Sequence, residues 1–136
     1  MPALKSVLIR GENLMFQRPG GFTFSAPAFS VSAGEAVAVL GPSGSGKSTF
    51  LDLVAGVLRP SSGTLEAFGH DTNKLSLGAL DQLRGDCIGV IFQEHNLLPF
   101  ASVFQNVALG VQFSKARRAR LKSGSLATEI AALLTA

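Results

Sequence analysis

The segment with the clearest chemistry is residues 41–49, GPSGSGKST, which matches the pattern G-x-x-x-x-G-K-[ST]. Its glycines allow backbone N–H groups to turn inward around phosphate oxygens, and the start of a helix adds a partial positive charge. Lys47 can reach the β and γ phosphates, the Ser48 hydroxyl can bind Mg²⁺, and Thr49 is placed for the α phosphate. The alternative is a glycine-rich turn that only caps a helix. The sequence thus predicts a nucleoside triphosphate site, with these nucleotide-binding residues: Gly41, Pro42, Ser43, Gly44, Ser45, Gly46, Lys47, Ser48 and Thr49.

A second candidate is Gln93, in the segment IGVIFQEHNLLP. It directly follows an apolar run, and ligands of open α/β sheets bind at the carboxyl ends of such strands. There the Gln93 amide can contact a metal ion or an attacking water. A glutamine that merely caps a loop fits the spacing equally well.

The elements around these residues favour an α/β fold. Residues 7–16 and the alternation of Phe22 and Phe24 with polar residues predict an antiparallel strand pair. The apolar runs at residues 36–40 and 87–92 predict strands buried on both faces, as in a parallel sheet. We expect a helix at residues 47–55 with Gly56 at its end, a strand at 63–68, a helix at 75–84, and helices from Ser102 onward.

Composition excludes several classes of protein. Of 136 residues, 46% are hydrophobic and 15% charged, which rules out intrinsic disorder. Cys87 is the single cysteine, so an internal disulfide is excluded and a reducing compartment is expected. No apolar run approaches the ~18 residues of a membrane helix, and the start lacks a signal peptide, so we expect a cytoplasmic chain. The basic cluster at residues 115–122 predicts a solvated helical face, with an anionic membrane surface as the alternative.

The chain resembles the ATP-binding subunit of ABC transporters. GPSGSGKST matches the Walker A motif, VIFQEHNLLP matches the Q-loop, and SAGEAVAVLG and LVAGVLRPSSGTLEAFG match the segments on either side of Walker A. NLLPFASVFQNVALGV is most similar to the lipoprotein-release and macrolide-export type of subunit. The resemblance begins at about Ser6 and covers nearly the whole chain.

This resemblance implies a RecA-like P-loop NTPase core with an antiparallel β flank and the start of a helical subdomain. Residues 1–136 would form the N-terminal part of one ATPase domain, with Walker A at 41–49, the Q-loop at 93–99 and no second domain. It further implies that ATP and Mg²⁺ bind, that Lys47 and Gln93 take part in catalysis, and that Ser48 and Gln93 contact the metal. The implied partners are a membrane permease and a second ATPase subunit, at the inner face of the membrane, and not nucleic acid.

The sequence departs from the family pattern in two places. Arg18 stands where the family has an aromatic residue that stacks on adenine, so Arg18 or Phe22 is the candidate adenine contact, and core packing is the alternative for Phe22. The signature loop, the Walker B carboxylates and the switch histidine do not occur in this sequence. By this resemblance we interpret the chain as the N-terminal part of the ATP-binding subunit of an ABC transporter, which in the intact subunit binds Mg-ATP to drive transport across a membrane. The rival interpretation is a nucleotide-binding fragment or regulatory remnant with no ATPase activity. Because the general base and signature loop are missing from this sequence, we predict that this chain alone binds Mg-ATP weakly and does not turn it over. An unrelated kinase or GTPase is disfavoured, because no N-K-x-D motif is present.

Overall fold

The computed structural model describes residues 6–94, 96–121 and 125–135. The chain divides into two compact units, Met1–Leu80 and Asp81–Ala136, and each is described by itself. The first contains strands β1 (Val7–Gln17), β2 (Thr23–Ser32), β3 (Ser62–Ala67) and β4 (His70–Asp71), and helix α1 (Lys47–Val54). Helix α2 (Leu77–Cys87) begins in the first unit, and its residues from Asp81 onward belong to the second. The second unit also contains α3 (Val103–Gln112), α4 (Lys115–Arg118) and α5 (Leu126–Leu134).

The sheet of the first unit is antiparallel, with strand order β2-β1-β3-β4. The β1–β2 pairing runs from Val7 opposite Ser32 to Gln17 opposite Thr23. The predicted antiparallel pair and the predicted strand at 63–68 are both confirmed. Leu14 of β1 and Leu65 of β3 are each 1% exposed and form the centre of the sheet's buried face.

Helix α1 carries the phosphate-loop motif and ends as predicted. Its buried residues are Thr49 and Leu53. Gly56 follows in a left-handed conformation (φ +70°), and its N–H donates to the Leu53 carbonyl at 3.0 Å. The ring of Phe50 packs edge-on against Phe29 of β2, with 4.8 Å between ring centroids. Aromatic packing therefore ties this helix to strand β2.

Helix α3 of the second unit is fixed at its start by two polar side chains. Ser102 and Gln105 form a capping box, in which each side chain pairs with the other residue's backbone N–H. The Asn106 side chain accepts from the Leu98 N–H at 2.7 Å and donates to the carbonyls of Leu98 and Ala101. The predicted helical character after Ser102 is confirmed by α3, α4 and α5.

The two apolar runs predicted as buried strands are not strands. Residues 36–40 and 88–92 form neither strand nor helix, and Cys87 is the exposed last residue of α2. Leu40 is 90% exposed and Ile91 is fully exposed. A strand in the middle of a parallel sheet requires hydrogen-bonded neighbours on both sides. Within the described ranges, no strand pairs with either run, so both are irregular segments in which most side chains are exposed. The prediction that the strand at 87–92 includes Cys87 is therefore wrong, because this residue belongs to α2 and is exposed.

The described helices are short. None of them has the length and apolar character needed to cross a bilayer.

Candidate phosphate-binding site

Two glycines give the loop before α1 its shape. Gly44 (φ +79°) and Gly46 (φ +93°) adopt the left-handed conformation that residues with a Cβ rarely take. Gly46 is the N-cap of α1 and supplies no side-chain cap. The first N–H groups of a helix have no partner within the helix, so here they are available to an anion at its positive end. The predicted helix start at the motif is thus present in the structure.

The loop also closes tightly on itself. A Cβ added to Gly41 would lie 2.8 Å from the Ser45 Oγ, and the Ser45 N–H donates to the Pro42 carbonyl at 3.3 Å. A side chain at position 41 would require the Ser45 hydroxyl to move away. The loop is thus closely packed between Gly41 and Ser45.

Lys47 lies over the loop it follows. Its Nζ donates to the carbonyls of Gly41 and Pro42, both at 2.8 Å. The ammonium group is therefore held beside the loop, and a phosphate must compete with two carbonyl oxygens for it. Ser48 is exposed and its hydroxyl is accessible to an ion, whereas Thr49 is 8% exposed.

The end of the β1–β2 hairpin lies beside this loop. The Arg18 N–H donates to the Phe22 carbonyl at 2.9 Å, and the Gly21 N–H donates to the Arg18 carbonyl at 3.2 Å. A Cβ added to Gly46 would lie 3.3 Å from Cζ of Phe22, so this ring reaches the helix start. The structure brings Phe22 to the predicted phosphate loop, and Arg18 is exposed in the same turn. The roles of both residues remain predictions.

Gln93 lies in the second unit, exposed in a bend. The phosphate loop belongs to the first unit, so the structure does not test the prediction that Gln93 shares a metal with Ser48. Residue 95 of the predicted Q-loop lies outside the described residues.

A polar network in the second unit was missed by the sequence analysis. Asp86 accepts hydrogen bonds from the Ser114 hydroxyl and from Gln82 Nε2, the latter at 2.8 Å. The Arg117 guanidinium donates to the carbonyls of Ile88 and Gly110. The hydrogen bond from Ser114 holds the pKa of Asp86 below its usual value, with Gln82 and the nearby charges of Arg117 and Arg120 acting in the same direction against partial desolvation. These hydrogen bonds fix the beginning of the segment that leads to Gln93. The residues that make them are too far apart in the sequence to be recognised as a motif.

Part of the basic cluster is therefore not a solvated face. Arg117 is half-buried and bonds across the second unit, while Arg118 donates to the Gln112 carbonyl at 3.0 Å. The positive charges of these arginines near the carboxyl end of α3 also interact favourably with the negative end of the helix dipole. The prediction of a solvated face holds for the exposed Lys115, Arg118 and Arg120, and Lys122 lies outside the described residues.

A glycine-shaped loop that opens an uncapped helix, with a lysine held over it, defines a P-loop nucleotide-binding protein. The profile of the ABC transporter family matches residues 24–134. The chain belongs to this ABC transporter family.

Two curated relatives support the assignment. The lipoprotein-releasing system ATP-binding protein LolD of Anaeromyxobacter dehalogenans (strain 2CP-C) is 42% identical over 90 residues, covering 66% of this chain and 38% of the relative. The uncharacterized ABC transporter ATP-binding protein YvrO of Bacillus subtilis (strain 168) is 42% identical over 89 residues, covering 65% of this chain and 39% of the relative. The matched segment thus spans less than half the length of either relative.

Solved structures show the same fold. One similar structure is a dimeric ATP-binding cassette in a post-hydrolysis state, bound to ADP and Pi. It superposes with a TM-score of 0.76 at 27% identity, and the match covers 94% of this chain and 56% of the cassette chain. Another is the cbiO1 protein of Clostridium perfringens, part of the ABC transporter complex cbiONQ. It gives a TM-score of 0.72 at 27% identity, and the match covers 96% of this chain and 50% of the cbiO1 chain. The predicted fold class is confirmed as α/β with the fold of ABC ATPase cassettes, of which the chain spans about half.

Proposed function

We propose that this chain is the ATP-binding portion of an ABC transporter ATPase subunit, which binds Mg-ATP through residues 41–49 to drive transport across a membrane. The observation that carries the proposal is the loop itself, with left-handed Gly44 and Gly46, an uncapped α1 and Lys47 at 2.8 Å from two loop carbonyls. Backbone N–H groups of the loop and of the first turn of α1 surround the phosphates. Lys47 leaves its carbonyl partners and contributes a point charge to the β and γ phosphates.

The donor set suits Mg²⁺ bound together with a nucleotide. Mg²⁺ takes oxygen ligands and usually keeps several waters, with the remaining ligands supplied by one or two protein groups and the substrate phosphates. Ser48 offers an exposed hydroxyl at the loop, and the described residues contain no cluster of three or more His, Cys, Asp or Glu that suggests a different metal site. When bound, the ion neutralises charge on the phosphates. Ser48 is the proposed first-unit ligand, and Gln93 is proposed as a further contact to the metal or the water on the family resemblance.

The adenine is proposed to lie at the hairpin end formed by Arg18 and Phe22. Phe22 reaches Gly46, and a backbone hydrogen bond of 2.9 Å links Arg18 to Phe22 across the turn. A guanidinium plane and an aromatic ring both stack on bases. The half-exposed Phe22 ring therefore offers a platform beside the phosphates, and the exposed Arg18 offers a second one.

The partners proposed for the intact subunit are a membrane permease and a second ATPase subunit, which would hold it at the inner face of the membrane. The dimeric cassette with ADP and Pi, and the membership of cbiO1 in a transporter complex, support this assembly by similarity.

The experiment that tests the proposal is a titration of the full chain with a fluorescent ATP analogue in Mg²⁺. We expect Lys47→Ala to weaken binding by roughly ten- to a hundred-fold, since a hydrogen bond to a charged group is worth about 1.5–3 kcal/mol. Lys74→Ala is the matched control, because Lys74 is an exposed lysine of the same unit that pairs with Asp71 at 3.0 Å. Equal dissociation constants for wild type and Lys47→Ala would contradict the proposed function.

A further inference from the structure

We propose that Phe24 is a positioning residue for phosphate binding, because its ring holds Gly46, and with it the start of α1, in the conformation that the loop needs. The inference rests on the proposed function and deepens it. Phe24 lies on strand β2, outside the nucleotide-binding motif, and the sequence pattern assigned it only to a strand.

The contact between Phe24 and Gly46 is direct. A Cβ added to Gly46 would lie 2.7 Å from Cδ2 and 3.5 Å from Cε2 of Phe24. The ring therefore covers the Cα of the glycine on the side where any other residue would carry its side chain. Gly46 has φ +93° and is the last residue before the helix, so its conformation sets the direction in which α1 leaves the loop.

Phe50 holds the same glycine from within the helix. The Phe50 N–H donates to the Gly46 carbonyl at 2.8 Å, which closes the first turn of α1. The Phe50 ring in turn packs against Phe24, with 5.9 Å between centroids and 43° between planes. Gly46 is thus fixed at its carbonyl by the helix and at its Cα by a strand that is anchored in the sheet.

Phosphate binding depends on this constraint because several N–H groups must converge on one anion. Glycine populates positive and negative φ about equally. Without the Phe24 ring, the remaining aromatic contact of Gly46 is the tip of Phe22, whose Cζ would lie 3.3 Å from an added Cβ, and Gly46 would sample other conformations before the ligand binds. The ligand would then have to order that residue itself. Ordering the backbone of about one residue costs roughly tenfold in affinity.

Phe29 provides a matched control on the same strand. Its ring also packs against Phe50, with 4.8 Å between ring centroids, and it lies against Gly11, where an added Cβ would be 2.2 Å from Phe29 Cε1. Phe29→Ala removes an identical side chain from the same aromatic cluster. It leaves the contact between Phe24 and Gly46 in place.

The test compares wild type, Phe24→Ala, Phe24→Leu and Phe29→Ala as full chains, by calorimetric titration with ATP in Mg²⁺ and by urea unfolding. We expect both alanine variants to be less stable than wild type, but only Phe24→Ala to lose roughly tenfold in ATP affinity. Phe24→Leu keeps a large apolar group on Gly46 and should recover most of the affinity.

Two results would overturn the inference: wild-type affinity in Phe24→Ala, or an equal loss of affinity in Phe29→Ala. If Phe24→Ala does not fold, Phe24→Val and Phe29→Val repeat the comparison under the same criteria with a smaller loss of packing. Failure of the proposed function is a separate result, since in that case wild type and Lys47→Ala bind ATP equally.

Discussion

At the scale of single residues, two cations near the phosphate loop are held in different ways. Lys47 Nζ is held beside the loop by hydrogen bonds to two carbonyl oxygens, which places its charge at the proposed phosphate site. Arg18 takes part in its turn through backbone atoms, and its side chain is exposed. Lys47 is thus suited to phosphates and Arg18 to the open face of a base. The base contributes little affinity if Arg18 is its main contact.

The first prediction at this scale concerns base selectivity. A cation stacked on an aromatic face at an exposed site is worth about 0.5–1 kcal/mol, and it does not distinguish adenine from guanine. We expect ATP and GTP to bind within a few-fold of each other, and Arg18→Ala to weaken both by no more than about fivefold. Competition of the two nucleotides against a fluorescent analogue measures this. A preference for ATP above a hundredfold would show that a selective adenine pocket exists and would contradict the prediction.

The phosphate loop is also where the sequence is most informative. Its residues are contiguous, and their chemistry follows from glycine geometry and the start of a helix, so 41–49 could be predicted without a structure. The contact of Phe24 with Gly46 could not, because it joins strand β2 to a loop 22 positions later through packing. The alternation of Phe22 and Phe24 indicates a strand face but not what that face touches.

At the scale of elements, Asp86 of α2 and Ser114 at the start of α4 connect two helices of the second unit. Ser114 is 2% exposed, and its Oγ also accepts from the Arg117 N–H at 3.0 Å. One hydroxyl therefore caps α4 and donates to Asp86. Ser114 thus holds the backbone of Arg117, and the guanidinium of Arg117 donates to the Ile88 carbonyl. Together these hydrogen bonds fix the beginning of the segment that leads to Gln93.

The pKa of Asp86 predicts how the stability of the second unit depends on pH. Its folded-state pKa lies below the unfolded value of 3.8, chiefly through the Ser114 hydrogen bond. The stabilisation is fully present above the unfolded pKa and is lost as the pH falls through the folded pKa. We expect Asp86→Asn to lower the free energy of unfolding at pH 6. The difference from wild type should become smaller as the pH falls below 3.8.

Urea unfolding between pH 6 and pH 3 measures this difference. Asp81→Asn is the control on the same helix, because its pair with Arg84 at 2.9 Å is exposed and worth little. A constant difference between wild type and Asp86→Asn across this pH range would contradict the assigned role of the carboxylate.

The elements that sequence reasoning placed wrongly are the apolar runs at 36–40 and 88–92. Hydrophobic pattern reports where apolar side chains occur, and it predicted β1, β2, β3 and α1 because each of these finds a partner within the described chain. A central strand of a parallel sheet needs a hydrogen-bonded strand along each of its two edges. The local hydrophobic pattern does not show whether those neighbouring strands are present. Val37, Val39 and Val90 consequently lie on the surface, between 37% and 56% exposed.

At the scale of the whole molecule, many large apolar side chains of the described residues remain exposed to solvent. Leu40 and Phe100 are 90% and 85% exposed, and Phe113 is 76% exposed. Large exposed apolar groups of this kind mark either an interaction surface or a liability to aggregation. Since the similar cassettes are about twice as long as the matched part of this chain, the same residues would have more chain to pack against in such a protein.

The last prediction is that the purified 136-residue chain binds ATP, associates through its apolar runs and does not turn ATP over. Lys47 and Ser48 are the proposed phosphate and metal contacts, but this sequence has no Walker B carboxylates to act as general base. Losing a positioned base removes ~10²–10⁴ in rate. We expect the chain to bind an apolar dye and to elute as larger species in gel filtration. Replacing Leu40 and Ile91 with serine should reduce both effects, whereas serine at the buried positions Leu14 and Leu65 should unfold the first unit.

Phosphate release should equal that of Lys47→Ala in every sample. Sustained release that depends on Lys47, from a monodisperse preparation, would contradict the prediction and would place a catalytic base among the carboxylates of this chain.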